Sequence, residues 1–417
     1  MPVTDGISRA VGDADHAPLV MPRIAAALDA HPDRSPLLVV DLDVVADRYD
    51  LLRRVVPSAV VYYAVKANPA PELLAMLVEM GSSFDVASIG EIRSCLDAGA
   101  PPDRLSFGNT VKKRVDIGAA HALGVRTFAF DCDEELDKLI DIAPGSTAFC
   151  RVLSDGLGAA WPLSRKFGCT PERAGQLLRR AHAAGLSVGL SFHVGSQQFD
   201  PTAWDRALAG VADLRAELRA DGIELELVNL GGGLPGVYIE DTPSPEEYGL
   251  AIESAIDRRL GPDHPPLILV EPGRFLVADA GVLRTEVVTV GTKSAIDEHR
   301  WVYLDVGMFS GLAEVMDEAI RYRIVGADGR SHVDDEGPDE LGPVVLAGPT
   351  CDSADILYKA ADYRLPKSLR SGDQLLLLSV GAYSITYSTV GFNGFDPLEV
   401  EVLPWTRGAP LMTEVLP

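Results

Sequence analysis

The chain has 417 residues, 47% of them hydrophobic and 24% charged, a soluble globular balance spread over more residues than one ordinary core holds. Its 61 carboxylates against 37 basic side chains leave a formal charge of −24. That field repels phosphate backbones and anionic lipid, so nucleic acid and membrane surfaces are not expected partners. The five cysteines (Cys95, Cys132, Cys150, Cys169, Cys351) are scattered, with no Cys-x-x-Cys pair, so neither a metal site nor a disulfide framework is expected. The N-terminus lacks the basic-then-apolar pattern of a signal peptide, and no apolar run approaches the ~20 residues of a membrane span. A cytoplasmic enzyme is the economical expectation.

The first stretch, to about residue 36, is rich in Pro, Asp and Ala, a composition common in loosely ordered termini. From Leu37 onward short apolar strands alternate with helical segments. The expected strands are Val60–Val65, Phe84–Ala87, Leu105–Phe107, Thr127–Phe130, Ala148–Val152, Val188–Val194, Leu225–Leu230 and Leu267–Val270. Helical patterns lie between them, at Glu72–Met80, Ile89–Ala98, Pro171–Ala184 and Thr202–Ala220. Strand-then-helix repeated in this way predicts a (β/α)8 barrel over 37–280, with a doubly wound open sheet as the competitor. After residue 280 the rhythm changes. Leu283–Val290, Trp301–Leu304, Arg321–Val325, Pro343–Leu346, Gln374–Ser379 and Leu398–Leu403 predict an all-β domain, barrel or sandwich, over 281–417. Ser331–Gly342, acidic with Gly and Pro, is an expected exposed loop.

A barrel of this kind works at the rim where its strands end. Strand one ends at Lys66, strand two near Asp85, strand five at Arg151, and strand six at His193, with Ser196 following. Strand seven runs into Gly231, Gly232 and Gly233, and strand eight into Glu271, Pro272, Gly273 and Arg274. Each signal alone is weak. A strand-end lysine is usually a solvated rim residue, a glycine triplet a tight turn, and a histidine a satisfied core group. Together they form a different set. A desolvated lysine has a lowered pKa and becomes an imine-forming amine. Glycine N–H groups beside an arginine cradle a phosphate. An acid can hold a pyridine nitrogen protonated, and a histidine ring can stack on a flat cofactor. These are the requirements of pyridoxal phosphate.

The motifs Tyr-Tyr-Ala-Val-Lys-Ala-Asn (Tyr62–Asn68), Phe-Asp-Val-Ala-Ser (Phe84–Ser88) and Phe-His-Val-Gly-Ser (Phe192–Ser196) resemble the eukaryotic-type ornithine and lysine decarboxylases. So do Gly-Gly-Gly-Leu-Pro-Gly (Gly231–Gly236), Glu-Pro-Gly-Arg-Phe (Glu271–Phe275) and Gly-Pro-Thr-Cys-Asp-Ser-Ala-Asp (Gly348–Asp355), in the same order. The resemblance implies an alanine-racemase-like fold, in which residues 1–36 complete the C-terminal β-rich domain. It implies Lys66 as the lysine bearing pyridoxal 5'-phosphate as an imine, Glu271 as the pyridinium partner and His193 as the stacking ring. Ser196, Gly233, Gly273, Arg274 and Tyr383 would hold the phosphate, and Asp85 and Arg151 would order the pocket. Cys351 and Asp352 would reach into the neighbouring barrel of a homodimer, Cys351 protonating Cα, and Lys166 with Asp355 would form an inter-subunit ion pair.

Asp317, twelve residues after Asp305, matches the family's substrate-specificity segment and is expected with Asp352 to bind a distal ammonium. Ornithine is the first expected substrate and lysine the second, because one methylene is worth only ~1–3 kcal/mol of discrimination. Arginine, diaminopimelate, a D-configured or N-modified diamino acid, racemisation on the same fold and an inactive regulatory homologue are the alternatives. Two acids disfavour diaminopimelate, and Glu271 in place of an arginine disfavours a racemase. Met308, where the eukaryotic enzymes carry an aromatic residue, and Gly-Phe-Asn-Gly-Phe at 391–395 look closer to bacterial members.

Overall fold

The structure is a computed structural model and describes residues 19–161, 165–261, 267–329 and 340–406. Its strands begin with β1 (Leu37–Asp41), β2 (Val60–Ala64), β3 (Ser83–Val86), β4 (Leu105–Phe107), β5 (Thr127–Phe130) and β6 (Thr147–Arg151). They continue with β7 (Ala159–Trp161), β8 (Ser187–Ser191), β9 (Ser196–Gln198), β10 (Leu227–Asn229) and β11 (Leu267–Val270). Eight of these close a parallel barrel in the order β2-β3-β4-β5-β6-β8-β10-β11, with β11 returning to β2. Every expected barrel strand is present, and the open-sheet competitor is excluded by closure. The ribbon β7-β9 is a separate antiparallel pair.

The barrel interior follows from the strand pleat, which sends alternate side chains inward. Tyr62, Ala129, Phe149, Leu227 and Leu269 meet there as one apolar cluster. On the outer face Tyr63, Phe84, Phe107 and Phe128 pack beneath the helices in the main core. Helix starts are written locally. Ser88 accepts from the Glu91 amide, and Ser244 with Glu247 forms a reciprocal capping box.

The second domain contains β12 (Gly281–Gly291), β13 (Arg300–Leu304), β14 (Ile324–Gly326), β15 (Leu341–Ala347), β16 (Ile356–Tyr358), β17 (Arg364–Pro366), β18 (Gln374–Leu378) and β19 (Glu399–Leu403). The six expected strands appear, and β16 and β17 are additions too short to carry a pattern. The nine-stranded mixed sheet runs β14-β18-β12-β13-β15-β16, with β17 beside β15 and β1 between β12 and β19. Leu37–Asp41 therefore does not open the barrel, as the sequence suggests. It pairs antiparallel with β12 and parallel with β19, and the barrel's own material begins after it. The loop expected at Ser331–Gly342 lies mostly outside the described residues, and by Leu341 the chain is already in β15.

The N-terminal stretch also departs from expectation. Residues 1–18 lie outside the described residues, but Pro22–Ala30 is a helix that buries Ile24 and Leu28 against Val39, Val282 and Leu376. Proline at the first helical turn supports that start. Among the described residues no helix is long and apolar enough to cross a membrane.

Phe149→Ala would empty the centre of the barrel's apolar plug. We expect a stability loss of about 3–5 kcal/mol, measured as a lower denaturant midpoint at unchanged slope.

Candidate active site

The same pleat that buries the plug builds the site above it. Phe149, Leu227 and Leu269 point inward, so the residues two further along, Arg151, Asn229 and Glu271, point inward at the next level. In β8 the sequence Gly189, Ser191, His193 continues the same face. A Cβ at Gly189 would lie 2.7 Å from Leu227, which shows how closely the interior is filled. At the end of β2 a short 3-10 turn, Val65–Ala67, lifts Lys66 over the rim.

Lys66 Nζ stands 3.3 Å from Asp85 Oδ2, with 47% of its side chain open to the cavity. Burial opposes its charge, but Asp85, Tyr383 and Glu271 outweigh that and raise its pKa above the ordinary lysine value. The lowered pKa expected of a desolvated lysine is thus reversed, because two carboxylates share its enclosure. Glu271 is pushed up to about 7 by burial and by Asp85, against the opposing pull of Lys66, the Asn229 hydrogen bond and Arg151. Asn229 bridges the rim: Nδ2 donates to Glu271 Oε1 at 2.5 Å, and Oδ1 accepts from Gly231 N at 2.8 Å. Arg151 lies over the Phe167 ring at 5.2 Å. His193 Nδ1 accepts from Gly195 N at 3.1 Å, which places the ring's own proton on Nε2. Its pKa is held well below the usual imidazole value by burial, then by Arg151 and Lys66.

The glycine rim meets the demands of a phosphate ester. Gly231 has φ +67° and Gly233 φ +113°, and a Cβ would come within 2.3 Å of Phe192 O and 2.5 Å of Gly195 O respectively. Only glycine permits that backbone and that approach. A Cβ on Gly232 would crowd Glu271 O at 2.6 Å, and one on Gly273 would meet the Tyr383 hydroxyl at 2.9 Å. Arg274 reaches the Ser196 hydroxyl at 3.2 Å, and its buried Nε has no partner among the described residues. Asp85 Oδ1 is likewise buried and unpaired. An amine, a buried acid, a flat ring, a glycine rim beside an arginine and spare buried hydrogen-bonding atoms fit pyridoxal phosphate. The cavity measures about 350 Å3 and is lined by Lys66, Asp85, Arg151, His193, Ser196 and Tyr383.

Other expected residues are not brought here. Cys351 and Asp352 are exposed in the loop between β15 and β16. Cys351 N donates to Asn393 Oδ1, and Asp352 accepts from Ala354 N. Asp317 is exposed and outside the cavity lining. Consecutive left-handed residues, Asp317 at φ +54° and Glu318 at φ +55°, break the helical spacing there and turn Asp317 outward. Glu318 instead accepts from three backbone amides, at Lys359, Ala360 and Ala361. Asp355 is bonded within its own chain. It is 3% exposed and accepts from Met308 N, Thr350 N and the Thr350 hydroxyl, so it holds its own loops together. Lys166 lies over Phe167 at 4.9 Å.

The cavity also contains residues that strand-end reasoning passes over: Gly108, Asn109, Thr110, Trp161, Phe167, Glu314 and Tyr387. A Cβ at Gly108 would sit 2.0 Å from Asp85 Oδ1, so this glycine makes room for that carboxylate. Asn229 and Gly108 were findable from the pleat and from the end of β4. Glu314 arrives from the other domain and had no such signal.

Residues 42–278 match the family described as pyridoxal-dependent decarboxylase, pyridoxal binding domain. The lysine/ornithine decarboxylase of Selenomonas ruminantium is 35% identical over 367 residues, covering 87% of this chain and 88% of that protein. The structure of a Vibrio vulnificus lysine/ornithine decarboxylase complexed with putrescine aligns at TM-score 0.78 and 28% identity, covering 92% of this chain and 99% of that one. The Paramecium bursaria Chlorella virus arginine decarboxylase bound to agmatine aligns at TM-score 0.81 and 29% identity, with 91% and 99% covered.

His193 should stay neutral across the working range, its ring resonances fixed between about pH 5.5 and 8, where a free imidazole titrates near 6.5. Because its folded pKa is depressed, the unfolded chain takes up a proton that the folded one refuses. Stability is therefore full above about pH 6.5 and falls below it. His193→Gln should remove that share of the acid sensitivity, read by denaturant titrations at pH 8 and 5.5.

Proposed function

The chain belongs to the pyridoxal-dependent decarboxylases, and on that premise we propose that it removes the α-carboxylate of a basic L-amino acid, ornithine before lysine, as a homodimer. The observation that carries this reading is Lys66 Nζ at 3.3 Å from Asp85, near Glu271, lining a 350 Å3 cavity whose His193 and Tyr383 abut Gly232 and Gly273. Bound pyridoxal phosphate supplies an electron sink for the pair left behind when the carboxylate departs. The chain's own residues do the rest. Lys66 offers its amine once a proton passes from Nζ, and Asp85 is the nearest acceptor. Glu271, held by Asn229 and poised near neutral pH, presents a carboxylate oxygen to a protonated ring nitrogen. Neutral His193 and the Arg151–Phe167 stack line the cavity.

The substrate's distal end needs an acid, and Asp352 stands exposed with Cys351, whose amide meets Asn393 in a segment that exposes Val390, Phe392 and Phe395. Asn393 and the Phe309–Phe392 contact hold these segments together. Such a face is suited to burial against a second copy, whose barrel would then receive Cys351 as proton donor to Cα and Asp352 as counter-ion to the distal ammonium. Glu271, an acid, favours a protonated ring and full electron withdrawal, hence decarboxylation over racemisation. Asp317 would take part only if association draws its loop toward the cavity.

Carbon dioxide release should follow loading with cofactor and L-ornithine or L-lysine. L-Arginine and meso-diaminopimelate serve as competitors in the same assay, and release only from diaminopimelate would overturn the basic-substrate assignment. Lys66→Ala should abolish turnover and the cofactor's protein-bound absorbance. Cys351→Ala should keep the absorbance but slow or misdirect product formation. Mixing Lys66→Ala with Cys351→Ala subunits should restore activity beyond the sum of the two, toward about a quarter of wild type for randomly paired dimers with one intact site. No gain on mixing would argue against shared sites.

A further inference from the structure

Among the described residues, Glu314 is the one acid that the β-rich domain inserts into the lining of the cavity, and its side chain is only 6% exposed. Its two oxygens accept from Arg274 Nη1 and Nη2 at 2.6 and 2.5 Å, a planar fork against a planar fork. Arg274 Nη1 also donates to the Tyr238 hydroxyl at 2.8 Å, and its guanidinium lies 5.0 Å from the Tyr383 ring. The far end of the guanidinium is thereby spoken for. The near edge is not: Nε is buried without a partner, and Nη2 touches only Ser196 besides Glu314.

We propose that Glu314 is a positioning residue for the cofactor's phosphate, gripping the end of Arg274 so that its Nε edge, together with Ser196, faces the anion. The inference rests on the reading that Arg274 and the glycine rim hold that phosphate. A guanidinium has two hydrogen-bonding edges at a fixed angle, so fixing one edge aims the other. Arginine's long stem would otherwise have to be ordered when the ligand arrives, at a cost to affinity. Because Arg274 leaves the barrel at β11 and Glu314 belongs to the second domain, the anion site is set by the contact between the domains.

A carboxylate this close to an anion also repels it, and substitution separates the two effects. If repulsion dominated, Glu314→Gln would bind pyridoxal phosphate more tightly. Positioning requires the reverse. Titration of cofactor-free protein, followed by tryptophan fluorescence and protein-bound absorbance, should give a Kd for pyridoxal phosphate about tenfold higher in Glu314→Gln. The Kd for pyridoxal, which lacks the phosphate, should be unchanged. Glu314→Asp keeps the charge but cannot reach with both oxygens, so it should also weaken pyridoxal phosphate binding and guards against misfolding of the neutral variant. In an Arg274→Met background, the Glu314→Gln change should have no further effect. Unchanged or tighter pyridoxal phosphate binding in both Glu314 variants overturns the inference. If Arg274→Met itself leaves that Kd unaltered, the underlying phosphate-site reading fails instead.

Discussion

Four charged side chains, Lys66, Asp85, Arg151 and Glu271, face one another above an apolar plug, and their mutual compensation is what the rest of the site depends on. Burial works against three of them. It would discharge Lys66 and Arg151 and protonate Glu271, and the opposite charges alongside resist that. The outcome is uneven. Lys66 keeps its proton firmly, while Glu271 sits near its midpoint at about 7. A lysine so placed yields its proton only when a partner takes it. Removing one member leaves an uncompensated charge in a poorly solvated place, so the four are better regarded as a unit.

The unit exists because the barrel closes. Each member hangs from a different strand end, and the inward level of Tyr62, Phe149, Leu227 and Leu269 both supports them and keeps water from beneath. The second domain completes the upper side. Tyr383 N donates to Ala67 O at 2.8 Å and Asn68 Nδ2 to Gly381 O at 3.1 Å, so the residues flanking Lys66 are tied directly to the β-rich domain. The Arg274–Glu314 fork is a third tie, beside the Tyr383 ring. The walls of the cavity and the packing of the two domains are therefore coupled.

The sequence made most of the barrel rim legible for a physical reason. Buried parallel strands are short apolar runs, and whatever polar residue ends such a run must lie at a rim. Lys66, Arg151, His193 and Glu271 are all of this type, and Gly231 and Gly233 were marked by a backbone that no other residue adopts readily. The same rule failed at Leu37–Asp41. All five of its residues are buried, as in a barrel strand, yet both its faces are covered because it lies in the middle of the other sheet. Periodicity cannot separate those two situations. Asp317 and Glu314 show a second limit. They are three positions apart, a spacing that shares a face in a regular helix, but Asp317 and Glu318 adopt left-handed backbone and divert the later acid to the surface. No local pattern shows that Asp355 accepts from three internal donors, because Met308 is distant in sequence.

By itself the sequence determined the chemistry available and the order of the elements that carry it, because residue types at strand ends and the alternation of apolar runs are local properties. It determined that an amine, an acid, a flat ring and a glycine rim would share one edge of a barrel. The tertiary structure decided which way each group's proton equilibrium leans, which acid enters the cavity and which domain owns the first strand. Those outcomes depend on neighbours distant in sequence: Asp85 and Glu271 around Lys66, β12 and β19 around β1, and Arg274 opposite Glu314. Electrostatics and burial act through space, and no local pattern encodes them.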